Sequence, residues 1–416
     1  MRILIVSESD GNNGGYAAAI RLYDGLRKQG VHAKMLVQNK TTHDSNIICT
    51  PSLIKKIYTF LRIKLSYRLV KLEKTNNPIL HSLNLFPSGL HKEINRMNVD
   101  LVNLHWINRE MISIKEISKI NKPIVWTLHD SWAFCGTEHH PPINTNVNHR
   151  YEYGYYKNNR YFGYCGFDLS RAVWFLKRKY WKNKSINIVT PSKWLYECAS
   201  KSILFKNNKI YRISNGLDTD QFQRRKNSSI RKRLKISPNK KLILFIGDMQ
   251  SQAKGFNLLK KALSHLSDQY SLHDIELLIV GSNKTDDISI KGIRCQHYGF
   301  VDNNELLAQI YSSADVLVLP SLIENLSYTL IEANACGIPA VAFNVGGNSQ
   351  IIEHKITGYL ARAYNHKDLA NGIKWVLNDP GYNKLCKKAR DKVIKEYGSI
   401  LVAKKYIKVY NQIIQE

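Results

Sequence analysis

Acidic residues are scarce in this chain: 33 Asp and Glu stand against 61 Lys and Arg, leaving a formal net charge of +28. That excess implies an acidic partner (nucleic acid, anionic lipid or a phosphorylated substrate) without choosing among them. Cysteine is sparse as well. Seven residues, odd in number and scattered at 49, 135, 165, 198, 295, 336 and 386, give no disulfide framework and suit a reducing cytosol. No uninterrupted apolar stretch approaches the roughly 20 residues needed to span a bilayer. The opening run Met1-Arg2-Ile3-Leu4-Ile5-Val6 is too short for a signal peptide. These absences predict a cytoplasmic protein, soluble or peripheral on the inner face of the membrane. A length of 416 residues predicts two domains, each able to bury its own core.

What is present is alternation of strands and helices. Residues 2–9 read as a buried strand, followed by Asp10-Gly11-Asn12-Asn13-Gly14-Gly15 and a helix over 16–29. A glycine pair at a strand-to-helix turn lets backbone N–H groups approach a phosphate or sugar. Residues 100–105 and 123–128 are further buried strands that run into His105 and His129, where ligands of parallel sheets bind. Between them and the first strand, residues 52–74 carry Ile54, Ile57, Tyr58, Leu61, Leu65, Leu69 and Leu72 at helical spacing among basic residues. Two readings stand level: a core-packed helix with a solvated face, and an amphipathic helix on an anionic membrane surface. Residues 131–181 are irregular and rich in Tyr, Asn and His, as expected of a functional insertion over the cleft. The spacing of Cys135, His139, His140 and Cys165 matches no regular zinc pattern, so exposed loop residues are expected and no metal is assigned. Basic and aromatic residues interleave over 171–184, which fits a membrane interface or an anionic acceptor. Asp218-Thr219-Asp220 follows Asn215-Gly216 and reads as a turn.

A second alternating set begins at 241. Its most informative stretch is 314–347: a strand ended by Pro320, a polar loop with Glu324, a helix with Glu332, and another strand from Pro339. An acid before a helix amino terminus and one inside that helix can flank a phosphate-bearing ligand and accept from its hydroxyls. On spacing alone, a solvated loop acid and a surface helix acid are the favoured reading.

The surrounding residues, PSLIENLSYTLIEANACGIPAVAF, closely resemble the signature of the retaining family-4 glycosyltransferases, nucleotide-sugar enzymes of the GT-B fold. The usual Glu-Gly-Phe-Gly start is replaced by Glu324-Asn325-Leu326-Ser327. Lys254-Gly255 matches the family's diphosphate-clamping Lys-Gly, while Asp248 stands where Arg is usual. His129-Asp130-Ser131-Trp132-Ala133-Phe134 resembles the opening of a colanic-acid-type branch, although most of that branch's loop cysteines are missing.

The resemblance implies an α/β chain of the GT-B class, two doubly wound Rossmann-like domains facing across a cleft. Residues 1–207 form the acceptor side, 208–399 bind the donor, and helix 400–416 packs back on the first. It implies sugar transfer from a nucleotide-diphosphate donor to a saccharide or lipid-linked acceptor, without cofactor or divalent metal, and no nucleic-acid partner. Glu324, His129 and Lys254 are the implied catalytic residues. Gly14, Gly15, Gly299, Phe300, Asn325, Leu326, Ser327 and Glu332 join Lys254 around the donor. His105, Asp130 and Trp132 lie on the acceptor side, with Asp130 orienting His129. A GT-B phosphorylase or nucleotide-sugar epimerase is the near alternative. A basic nucleic-acid-binding protein is the alternative of another class.

Overall fold

The computed structural model describes the chain apart from residues 12–13, 50–51, 76, 143–148, 226–228, 269–271, 282–289 and 291. It forms two compact units: Met1–Gly216 together with Ile400–Glu416, and Leu217–Ser399. A boundary at 207/208 would cut the first unit short, because a last strand at Ile210–Arg212 still pairs with Asn187–Thr190.

The strands of the first unit are β1 (Arg2–Ser9), β2 (His32–Asn39), β3 (Ile47–Cys49), β4 (Glu73–Lys74), β5 (Leu101–Leu104), β6 (Ile124–Thr127), β7 (Cys165–Gly166), β8 (Asn187–Thr190) and β9 (Ile210–Arg212). Seven of them form a parallel sheet in the order β3-β2-β1-β5-β6-β8-β9, and β4 pairs with β7 in a separate antiparallel ribbon. Continuous apolar runs suit strands covered on both faces. In β1, Ile3 and Ile5 pack with Leu22 and Leu26 of the Gly14–Lys28 helix, whereas Leu4 and Val6 join Trp126 and Trp174 on the other face. The Ser399–Gln415 helix closes the first of these layers: Tyr410 Oη accepts from Asn103 Nδ2 at 2.6 Å, and Tyr406 Oη lies 3.2 Å from Thr127 Oγ1.

Two parts of this unit depart from expectation. Outside residues 143–148, the 131–181 segment is largely packed into the core, with Phe134, Tyr151, Tyr155 and Trp174 buried and Arg150 paired to Asp168 at 2.9 Å. The Leu169–Trp181 helix turns Trp174, Lys177 and Trp181 inward, so the aromatic half of 171–184 is interior and not a membrane interface. The Leu53–Val70 helix does the reverse. Its inward residues include Arg62 and Ser66, held by Glu110: Arg62 Nη1 donates to the Glu110 carbonyl at 2.7 Å and Ser66 Oγ to its carboxylate at 2.8 Å. The apolar stripe faces out, with Ile54 79% and Leu61 55% exposed. Each such side chain forgoes on the order of 1 kcal/mol of burial, given ~1.5–3 kcal/mol for full burial.

The second unit has β10 (Lys241–Ile246), β11 (Ile275–Val280), β12 (Arg294–Gly299), β13 (Val316–Leu319), β14 (Ala340–Phe343) and β15 (Gly358–Ala361). They form a parallel sheet ordered β12-β11-β10-β13-β14-β15. In each sheet the strand order reverses once, between β1 and β5 and between β10 and β13. Loops leaving the carboxyl ends of such neighbours diverge and open a crevice.

Candidate active site

At the β10/β13 switch point, two glycines fix the loop that carries Glu324. Gly255 (φ +66°) opens the Phe256–Ser267 helix, and a Cβ there would lie 2.0 Å from the Pro320 carbonyl oxygen. Gly346 (φ +52°) is tighter still: its Cβ would lie 1.6 Å from the Glu324 carbonyl oxygen, to which Gly347 N donates at 3.3 Å. The close backbone approach at Gly346 is therefore made to the chain's own Glu324. Between these supports, Lys254 Nζ donates to Glu324 Oε1 at 2.8 Å, with the side chains 39% and 13% exposed. An ion pair this open to water is worth only about 0–1 kcal/mol, so either partner is cheaply exchanged for a ligand group.

The helix Tyr328–Ala335 starts directly after this loop, and Ser327 caps it, its Oγ accepting from Leu330 N at 3.4 Å. Leu326 belongs to the core beneath and Asn325 is buried beside it, so the helix amino terminus is held rigidly. Glu332 is buried inside the helix, and its Oε2 accepts from Tyr311 Oη at 2.9 Å. Gly299 ends edge strand β12 with φ +79°, its carbonyl taking Gly281 N at 2.7 Å, and Phe300 beyond it is exposed. Three strand spacings separate β12 from β13, about 14 Å. Asp248 is occupied locally: its Oδ1 accepts from Gln250 N at 3.0 Å and caps the turn.

The β1/β5 switch point is lined differently. Gly15 lies against His129, whose ring atoms would be 3.2 Å from a Cβ there, while Gly14 (φ +51°) has open space. Residues 12–13 of the same glycine loop lie outside the described residues. His129 Nε2 is 3.0 Å from His105 Nδ1, and the rings stack at 5.1 Å. His105 Nε2 is buried without a hydrogen-bond partner. A buried unpaired N–H costs more than a bare ring nitrogen, so the shared proton belongs on His105 Nδ1 and His129 Nε2 accepts. Burial pushes the His105 pKa well below its ordinary value and that of His129 down to about 4, the Asp130 charge opposing the latter shift. Both rings are neutral at neutral pH.

His105 holds the ring of His129 through the Nδ1–Nε2 contact. The Asp130 oxygens accept from Trp106 Nε1 (2.9 Å), His139 Nδ1 (2.6 Å) and Trp132 N (2.9 Å). Burial would raise its pKa, but His139 and these donors outweigh that and hold the carboxyl well below the usual range. Trp132 is not an acceptor contact: it is 1% exposed, donates from Nε1 to the Ser82 carbonyl at 2.9 Å, and lies under Lys177. His139, expected on an exposed loop, is buried between Asp130 and Ser82 and is a positioning residue that sequence reading passed over. Cys135 is buried and Cys165 exposed, and among the described residues no group of three His, Cys, Asp or Glu is placed to hold a metal ion.

Two parallel sheets of this kind, each with ligand-ready residues at its switch point, define the GT-B fold class. Solved structures agree over the full chain. Sucrose-phosphate synthase from Thermosynechococcus elongatus superposes with a TM-score of 0.67 at 17% identity, covering 100% of both chains. HepE of Anabaena in complex with UDP-glucose gives 0.63 at 14% identity, covering 99% of this chain and 100% of that one. Residues 226–396 match the family model "Glycosyl transferases group 1", so the second unit carries a domain of that family. An uncharacterised glycosyltransferase of Methanocaldococcus jannaschii is 30% identical over 239 residues, 55% of this chain and 60% of that protein. The chain thus spans well under two thirds of that relative's length.

Proposed function

We propose that this protein is a retaining glycosyltransferase. It moves a sugar from a nucleotide-diphosphate donor to a hydroxyl of a saccharide or lipid-linked saccharide, in surface-polysaccharide assembly at the inner face of the membrane. The observation that carries the reading is the weakly held Lys254–Glu324 pair, pinned by Gly255 and Gly346 beside a helix amino terminus. The match of 226–396 to the glycosyl transferases group 1 model and the fold shared with a UDP-glucose-binding protein support it.

In this reading the donor lies along the carboxyl edge of the second sheet. The main chain at Gly299 and Phe300 holds the base and Glu332 anchors the ribose. Lys254 and the N–H groups following Ser327 face the diphosphate. Lys254 leaves Glu324 for phosphate, and Glu324 turns to the sugar hydroxyls. The bond from the anomeric carbon to the diphosphate breaks as the acceptor oxygen bonds to the same face of that carbon. The acceptor's proton passes to the departing phosphate oxygen. Fixed positive charge stabilises the growing negative charge in place of a divalent metal.

The test is a thermal-shift screen of UDP-, GDP- and ADP-sugars in EDTA, on the wild type and Lys254→Ala, followed by product analysis with saccharide acceptors. One donor at 100 times its Kd is expected to add about 2.7 kcal/mol to wild-type stability and much less to the variant, and the product keeps the donor's anomeric configuration. Silence towards every nucleotide sugar overturns the proposal. A sugar product formed without acceptor favours an epimerase.

A further inference from the structure

We infer that the outward face of the Leu53–Val70 helix is a docking surface for an anionic lipid bilayer. This rests on the helix itself and is independent of the transfer reading. Nine of the 21 large apolar side chains exposed among the described residues lie between positions 53 and 72, among them Leu53 (73%), Ile54 (79%) and Phe60 (61%). They are exposed because the helix packs with its polar side inward, Arg62 and Ser66 being tied to Glu110. A cavity of about 460 Å³ also separates its first half from the ends of β2 and β3, so apolar packing does not hold it down.

Apart from the inward Arg62, the same 20 positions carry Lys56, Lys64, Arg68 and Lys71, with Lys55 paired to Glu93, and no acid. Lys64 and Lys71 lay their stems along neighbouring rings, with Nζ 5.7 Å from Phe60 and 4.5 Å from Tyr67. Such side chains cover apolar surface while keeping the charge at a polar boundary. The patch continues past the helix. Phe167 N donates to the Leu72 carbonyl at 3.0 Å, and on this connected loop Phe162 and Phe167 are 94% and 68% exposed.

Charge selects an anionic occupant, and chemistry selects lipid. Nucleic acid rewards aromatic stacking; here Tyr58, Phe60 and Tyr67 are outnumbered on the helix and its end by aliphatic Leu53, Ile54, Ile57, Leu61, Leu65 and Leu72, which acyl chains take and bases do not stack on. A second copy of this chain would bring +28 against +28. No helix among the described residues is long and apolar enough to cross a membrane, which leaves an orientation in the plane of the interface, apolar side among the acyl chains and ammonium groups at the phosphates.

The experiment is co-sedimentation of the full chain with phosphatidylcholine vesicles, with and without about 30% phosphatidylglycerol, a fraction that makes the surface anionic. The wild type is expected to pellet with the anionic vesicles alone and to be released by high salt. Replacing Ile57, Leu61 and Leu65 together by Glu should cut binding at least ~tenfold, with the melting temperature and any donor-induced shift unchanged. Failure to bind either vesicle overturns the inference, as does binding that the triple variant leaves intact. RNA binding or dimerisation abolished by the same variant, without vesicle binding, assigns the face to another occupant and overturns it equally.

Discussion

The two switch points hold opposite kinds of chemistry on the same topology. At β1/β5, His105 and His139 are buried and His129 and Asp130 half-buried, paired as His105–His129 and His139–Asp130, with both His105 and His129 neutral. At β10/β13, Lys254 and Glu324 form an ion pair partly open to water, while the backbone around them is locked by Gly255 and Gly346. Side chains are immobilised in the first case and the main chain in the second. A neutral histidine pair beside a hydrogen-bonded carboxylate recognises shape and hydroxyls at constant geometry; a hydrated ion pair on a rigid loop accepts a charged ligand by exchanging partners at little cost.

The comparison breaks most severely at Gly346. Gly346→Ala places a methyl group on the Glu324 carbonyl, and the loop must move. A loss of at least ~2 kcal/mol by denaturant unfolding is expected, with donor response lost. If the variant melts like the wild type and still binds donor, the loop is not locked as described. At the neutral cluster the sign follows from burial. The unfolded chain protonates His129 near 6.5 but the folded chain only near 4, so stability falls as pH drops through that window and is retained above it. Unfolding curves at pH 7, 5.5 and 4.5 should show a shallower fall for His129→Gln. The smallest effect sharpens the charged site. Asp248→Arg exchanges an anion for a cation near Lys254, and donor Kd should fall about three- to tenfold, an energy of ~0.6–1.4 kcal/mol, measured by titration calorimetry.

Much of this was legible in the sequence for local reasons. Apolar runs bounded by Gly and Pro located the strands, and Lys254-Gly255 and Glu324 sat at their carboxyl ends. What escaped was set by distant residues. Periodicity found the helix at 53–70 but not which side faces in, because Glu110, with φ +56° and far along the chain, draws Arg62 and Ser66 inward. Trp132 and His139 read as loop residues because their partners, Ser82 and Asp130, meet them only in the folded chain. At Gly346, nothing local could reveal that the neighbour is Glu324.

The 17-residue helix Ser399–Gln415 belongs to the first unit, although the entire second unit precedes it in the chain. During synthesis the sheet of β1, β5 and β6 therefore emerges with Asn103, Thr127 and the part of this face that Tyr406 and Tyr410 later cover still open. That surface waits, open to chaperones or to misassembly, until the last helix leaves the ribosome. A stalled or truncated product would have finished its second unit while its first remained unsealed.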